Sequence, residues 1–162
     1  MGSNPAARTT YHLSNIATTM EQTQNLTQAT RKSEEKDSKK VLILDDDQWF
    51  TNLLTELLQT QNFQITTVEN GVEGLKEIMK TDYDVILCDI MMPNLSGDMF
   101  YVAVQRTKPH LCKRFIFMSG HKGNPKIEEF IKNVSGIMLW KPFELYQLLK
   151  AIKALEVKSR EN

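Results

Sequence analysis

Hydrophobic positions fall into two alternating patterns from residue 41 onward. The first is a short, continuous apolar run, as at residues 41–44, which is typical of a strand buried on both faces of a sheet. The second is a stretch with apolar residues every three or four positions, as at Phe50, Leu54 and Leu57, which predicts an amphipathic helix. Continuous runs recur at residues 85–88, 115–118 and 137–140, and a helical pattern follows each one.

One more strand, the second in chain order, is predicted around residues 63–67, where apolar and polar residues alternate as they do in an edge strand. The regular succession of strands and helices predicts a parallel sheet covered by helices on both faces. Right-handed crossovers and one alternating edge strand favour the order 2-1-3-4-5. The predicted fold class is therefore α/β, a flavodoxin-like (βα)5 doubly wound parallel sheet.

The chain divides into a polar beginning and an apolar-patterned domain. Thr, Gln, Asn and Ser dominate the first part, which holds too few apolar residues to offset the entropy lost on folding. We expect residues 1–40 to be a disordered polar tail or linker, residues 41–157 to form the domain, and residues 158–162 to be a C-terminal tail.

Composition removes several function classes. Twenty basic and 20 acidic residues give a formal net charge of zero, so bulk charge gives no support for direct nucleic-acid binding. Two cysteines cannot build a disulfide framework or a four-cysteine zinc site, which favours a reducing, cytoplasmic location. No apolar run is long enough to predict a membrane span.

Polar side chains follow four of the predicted strands at the point where each strand ends. Asp45 and Asp46 follow the first strand, Asp89 the third, Ser119 the fourth and Lys141 the fifth. The carboxyl ends of parallel strands meet at one edge of the sheet, where ligands bind in this class of fold. A single Asp after a strand is usually a helix cap or a turn residue, but capping does not explain the whole set.

Crowded carboxylates raise one another's pKa unless a cation lies between them. Oxygen ligands without His or Cys suit Mg²⁺, and a carboxylate can accept a phosphoryl group as an aspartyl phosphate. The Lys141 ammonium and the Ser119 hydroxyl could then bind the phosphoryl oxygens. The sequence therefore predicts a phosphoryl-accepting Mg²⁺ site. Asp47 is expected to cap the helix that begins near Gln48.

These motifs, taken in order and spacing, resemble the receiver domain of two-component response regulators. The resemblance extends from about Lys39 to Val157, which is the whole patterned part of the chain. The matching segments are Leu44-Asp45-Asp46-Asp47, the stretch of residues 87–97, Met118-Ser119-Gly120 and Lys141-Pro142-Phe143.

The resemblance implies that Asp89 is phosphorylated by a histidine kinase or a histidine phosphotransfer protein. It assigns Mg²⁺ binding to Asp45, Asp46, Asp89 and the backbone carbonyl of Met91. It further assigns Ser119 and Lys141 to phosphoryl binding and switching, with a cis peptide bond between Lys141 and Pro142.

Three positions depart from the family's usual pattern. Met138 stands where many receivers have the Tyr or Phe that moves with the switch hydroxyl, which puts an aromatic switch in doubt. Trp140 is either a packed edge-strand aromatic or an exposed anchor. Met138 and Trp140 are candidate members of a partner surface formed by the fourth helix, fifth strand and fifth helix. His121 is interpreted as a solvated loop residue.

Two alternatives remain beside this interpretation. One is a Mg²⁺-dependent aspartyl-phosphate phosphatase or phosphotransferase, although Met91 stands where such enzymes carry a second Asp. The other is a degenerate receiver that only binds partners. We expect a receiver, not a turnover enzyme, that acts on an unknown output partner and is able to form a homodimer. The chain is either a stand-alone receiver or part of a hybrid histidine kinase with residues 1–40 as a linker.

Overall fold

A computed structural model describes residues 38–134 and 136–160 of the 162-residue chain. The predicted tail at residues 1–40 lies almost wholly outside the described residues, and the domain boundaries stay a prediction. At the other end, the last helix continues to Arg160. Within the part of the chain that is described, no helix has both the length and the apolar character needed to cross a membrane.

The sheet has five parallel strands in the order β2-β1-β3-β4-β5, which confirms the predicted flavodoxin-like topology. Of the two edge strands, β2 is the one whose sequence alternates, and Val68 is the only residue of β2 that is buried. The strands are β1 (Lys40–Leu44), β2 (Gln64–Val68), β3 (Val85–Asp89), β4 (Phe115–Ser119) and β5 (Ile137–Trp140).

Each strand is followed by a helix, as the apolar spacing predicts. A 3₁₀ segment at Pro109–Arg114, which the sequence pattern did not indicate, precedes β4. The helices are α1 (Gln48–Gln59), α2 (Gly71–Lys80), α3 (Gly97–Thr107), α4 (Pro125–Lys132) and α5 (Leu145–Arg160).

Two apolar clusters cover the two faces of the sheet. Alternate residues of one strand join opposite clusters: Leu42 and Leu44 lie in one, and Val41 and Ile43 lie in the other. Helices α2, α3 and α4 pack on the first cluster, and helices α1 and α5 pack on the second. This two-sided burial explains why the central strands are continuously apolar.

Helix α3 buries a different set of residues from the apolar residues by which the sequence pattern identifies it. The sequence pattern identifies this helix by Met99, Val102 and Ala103, but Met99 is exposed. The buried residues have the spacing i, i+3, i+4 and i+7, and they are Gly97, Phe100, Tyr101 and Val104.

Gly97 allows the beginning of α3 to lie directly against the end of β3. A Cβ atom at this position would lie 2.2 Å from the Asp89 carbonyl oxygen and 2.9 Å from the Ile90 Cα. The Gly97 N–H also donates to the Ile90 carbonyl at 3.0 Å. The contact therefore fixes the backbone that carries Asp89.

We predict that Gly97→Ala destabilises the domain, because the new methyl group meets backbone atoms that have no space to move. Overpacking of this kind costs about 1–3 kcal/mol, so the melting temperature should fall by roughly 4 °C for each kcal/mol. Gly120→Ala is the matched control, since a Cβ there has no neighbour within 4 Å. Equal melting temperatures for the two variants would contradict the prediction.

Candidate functional site

The ends of four neighbouring strands meet at one edge of the sheet. In the strand register, Leu44 lies beside Cys88, Asp89 beside Met118, and Ser119 beside Trp140. The residues that follow or end these strands are therefore brought into one row. The row contains Asp45, Asp89, Ser119 and Lys141, as the sequence indicates.

Lys141 joins two of the acidic residues. Its Nζ donates to Asp45 Oδ2 at 2.5 Å and to Asp89 Oδ2 at 2.5 Å. Its backbone N–H donates to the Ser119 carbonyl at 2.9 Å, and the peptide bond to Pro142 is cis, as predicted. One ammonium group thus connects carboxylates that belong to β1 and β3.

The Asp45 carboxylate is almost completely buried, with 2% of the residue exposed. This burial raises the pKa of Asp45 above its ordinary value, although Lys141 and the Asp47 N–H, which donates to Asp45 Oδ1 at 3.0 Å, both act to lower it. The charge of Asp89 adds to the rise. Removal from water therefore outweighs the ion pair with Lys141 in setting the pKa of Asp45.

Burial alone would lower the pKa of Lys141, but hydrogen bonds to Asp45 and Asp89 and the charges of both carboxylates outweigh it. The net result is a raised Lys141 pKa, so the ammonium stays protonated at neutral pH. The pocket thus holds a permanent cation between its two buried acids.

Asp89 lies at the end of β3 with 7% of its surface exposed. Its Oδ1 accepts a hydrogen bond from the Met91 N–H at 2.7 Å, and its Oδ2 accepts from Lys141. Both oxygens of this carboxylate are therefore oriented by the protein. Such orientation prepares a nucleophile without a further conformational search.

The other two acids of the Asp45-Asp46-Asp47 run lie at the surface. Asp47 is the N-cap of α1, where its Oδ1 accepts from the Phe50 N–H at 3.0 Å. The prediction that Asp47 caps this helix is confirmed. Asp46 lies between the buried acid and the cap in the chain, and its side chain is exposed.

Ser119 is fully buried at the end of β4. Its Oγ accepts a hydrogen bond from the His121 N–H at 3.1 Å, which leaves the hydroxyl proton available for donation. The His121 side chain is exposed on the following loop, in agreement with the sequence interpretation.

Met138 and Trp140 lie on the outer strand β5. Both side chains are partly buried and pack against the apolar cluster under α3 and α4. Trp140 is therefore both packed and partly accessible, whereas the sequence analysis treated packing and exposure as alternatives. Membership of a partner surface stays a prediction for both residues.

Phe50 is part of the site, although the sequence pattern places it only on the apolar stripe of α1. The Lys141 Nζ lies 4.5 Å from the centre of the Phe50 ring. The only signal in the sequence is an aromatic residue in the first helical turn after the acidic run.

The available donor atoms fit Mg²⁺ better than a softer metal. Residues 38–134 and 136–160 contain no group of three or more His, Cys, Asp or Glu side chains arranged around a metal. Mg²⁺ does not require such a cage, because it keeps several waters and binds through one or two carboxylates. The Asp45 and Asp89 carboxylates, which meet at Lys141, supply oxygen atoms of the required kind.

Comparisons with known proteins agree with this geometry. The sequence model described as response regulator receiver domain matches residues 41–153. A probable chemotaxis protein CheY from Rhizobium etli is 30% identical over 72% of this chain and 91% of its own length. The nisin biosynthesis regulatory protein NisR from Lactococcus lactis is 33% identical over 71% of this chain, but the match spans only 49% of NisR.

Solved structures show the same fold. A Francisella response regulator receiver domain is 26% identical, with a TM-score of 0.67 and coverage of 75% of this chain and 99% of that chain. The response regulator TrrA from Thermotoga maritima, in complex with Mg²⁺ and BeF, is 27% identical, with a TM-score of 0.63 and coverage of 72% and 98%. Sequence and fold together show that the chain belongs to the response regulator receiver domain family of two-component systems.

Proposed function

We propose that this protein is a phosphoacceptor receiver that takes a phosphoryl group onto Asp89 from a histidine kinase or a histidine phosphotransfer protein. The observation that carries the proposal is the doubly held Asp89 carboxylate, oriented by the Met91 N–H and by the Lys141 ammonium. A carboxylate that served only to cap a helix would not need a half-buried lysine shared with a second acid.

In the proposed step, an Asp89 carboxylate oxygen attacks the phosphorus atom of a phosphohistidine. A P–O bond forms while the P–N bond breaks, and the imidazole leaves with the electron pair of that bond and takes up a proton from solvent. Lys141 offsets the charge on the transferred oxygens, and the Ser119 hydroxyl can donate to one of them. The product is an acyl phosphate on Asp89.

Mg²⁺ is the proposed cofactor, and Asp45, Asp46, Asp89 and the Met91 carbonyl would bind it directly or through water. Bound there, the ion would neutralise carboxylate and phosphoryl charge. The adjacent Asp45 and Asp89 carboxylates support this assignment, because a cation bound beside them would stabilise both charges. The related TrrA was solved with Mg²⁺ and BeF.

The proposed output is a change in partner binding on the face formed by α4, β5 and α5, including Met138 and Trp140. Receivers do not need turnover chemistry for such a role, so the chain acts as a switch and not as an enzyme. The same face could join two copies of the chain as a homodimer. The two buried thiols, Cys88 and Cys112, suit a cytoplasmic location.

We predict that a small phosphodonor such as acetyl phosphate adds the mass of one phosphoryl group to the wild-type protein in the presence of Mg²⁺. Asp89→Asn should abolish the addition, since an amide is not a nucleophile of this kind. Asp47→Asn is the matched control, because Asn also caps helices and Asp47 makes no side-chain contact with Lys141. Intact-protein mass spectrometry measures the product, and labelling that survives in Asp89→Asn would place the acceptor elsewhere.

Mg²⁺ binding should be visible through Trp49, which lies in the first turn of α1 and is 73% exposed. In a Trp140→Phe background Trp49 is the sole tryptophan. We expect its fluorescence to change on titration with Mg²⁺ and the change to be lost in Asp46→Asn but kept in Asp47→Asn. A titration that leaves the emission flat while equilibrium dialysis shows bound Mg²⁺ would refute the expected link between Trp49 and the pocket.

Phosphorylation should also be visible at Trp140, because Ser119 lies beside Trp140 in the β4–β5 register. A shift of the Ser119 hydroxyl towards a phosphoryl group would move the strand end against this indole. In a Trp49→Phe background, we predict an emission change on phosphorylation that Asp89→Asn lacks. Constant emission from a protein shown by mass to be phosphorylated would argue against the α4–β5–α5 output.

A further inference from the structure

The Phe50 ring covers a side of the Lys141 ammonium that its two carboxylate partners leave open. Lys141 has three N–H donors, and Asp45 and Asp89 each accept one of them at 2.5 Å. The Phe50 ring centre lies 4.5 Å from the same nitrogen, within the range at which an ammonium is attracted to a ring face. The lysine is therefore bordered by two anions and one aromatic ring.

Two independent contacts fix the ring in this place. The Phe50 N–H donates to the Asp47 cap at 3.0 Å, which ties its backbone to the first turn of α1. Its ring meets the Phe143 ring edge-on, with the ring centres 5.8 Å apart and the planes at 79°. Phe143 follows Lys141 by two residues. Both the helix and the loop after β5 therefore hold the ring against the lysine.

A lysine side chain is a flexible four-carbon stem that ends in a point charge. Hydrogen bonds to two carboxylates restrict its direction, but both bonds must rearrange when one of those carboxylates becomes an acyl phosphate. The contact with Phe50 does not depend on either carboxylate. It can therefore hold the ammonium in place while its anionic partners change.

We propose that Phe50 is a positioning residue that keeps the Lys141 ammonium between the Asp45 and Asp89 carboxylates through a cation–π contact. The proposal rests on the proposed function of Asp89 as phosphoacceptor. Phe50 acts through Lys141 and does not itself touch the reacting atoms. Its effect depends on the electron-rich ring face, so an aliphatic residue of similar size should not replace it.

The first experiment tests the contact without any phosphorylation. The ring current of Phe50 should shift the NMR signals of the Lys141 ε-methylene group, which a Lys141→Arg variant identifies by their disappearance. We expect the shift to be retained in Phe50→Tyr and lost in Phe50→Leu. Identical Lys141 signals in wild type and Phe50→Leu would overturn the proposal.

The second experiment measures the rate of Asp89 phosphorylation by acetyl phosphate with Mg²⁺. We expect Phe50→Leu to slow the reaction by about 2- to 30-fold, the range that corresponds to an exposed or a desolvated cation–π contact. Phe50→Tyr should restore most of the rate. Phe63→Leu is the matched control, because Phe63 packs on the same apolar cluster as Phe50 but has no cation contact with Lys141.

Replacement of Phe50 by trifluorophenylalanine separates electrostatics from packing, because fluorine weakens the negative ring face with little change in shape. The proposal expects a slower rate with an unchanged melting temperature. A wild-type rate in both this variant and Phe50→Leu would overturn the role of Phe50 and leave the proposed function intact. A wild-type protein that is not phosphorylated at all, with the NMR contact present, would instead overturn the proposed function and the role that rests on it.

Discussion

The site depends on one lysine shared by two buried carboxylates. The parallel sheet brings Asp45 and Asp89 to adjacent strand ends, where both are nearly removed from water. Two such acids would repel each other and take up protons unless a cation came between them. Lys141 comes from β5 and has to pass the end of β4 to reach them. Ser119, which ends β4, is fully buried, and its carbonyl accepts a hydrogen bond from the Lys141 N–H at 2.9 Å.

Burial outweighs the stabilisation that Lys141 gives to the Asp45 carboxylate. Burial still raises the pKa of Asp45 despite its ion pair with Lys141, so the ionised pocket costs free energy in the absence of a further cation. Functional sites commonly retain such a cost because the stabilising group arrives with the ligand. A fully neutralised pocket would gain less from a metal ion and would be more stable without one.

The fold and the acidic row could be predicted because both follow from local patterns. Continuous apolar runs mark the buried strands, and the parallel arrangement then forces Asp45, Asp89 and Lys141 to one edge. The buried stripe of α3 could not be predicted from apolar character alone, because Met99 is as apolar as Phe100 but faces solvent. Gly97, which lies directly against the Asp89 carbonyl, is on the same buried stripe as Phe100, and this contact is visible only in three dimensions.

The contact between Phe50 and Lys141 could not be predicted from the sequence either, because it joins two residues that are far apart in the chain. Each polar group that would bind a phosphoryl group has an aromatic neighbour: Phe50 lies against Lys141, and Trp140 lies beside Ser119 in the sheet. The first aromatic belongs to the α1 and α5 side of the sheet, and the second belongs to the α3 and α4 side. Under the proposed function, the sheet face whose aromatic residue positions the Lys141 charge is therefore separate from the face whose aromatic residue responds to the Ser119 hydroxyl. The large side chain beside Ser119 in the β4–β5 register is therefore Trp140, and Met138 lies two residues earlier on β5.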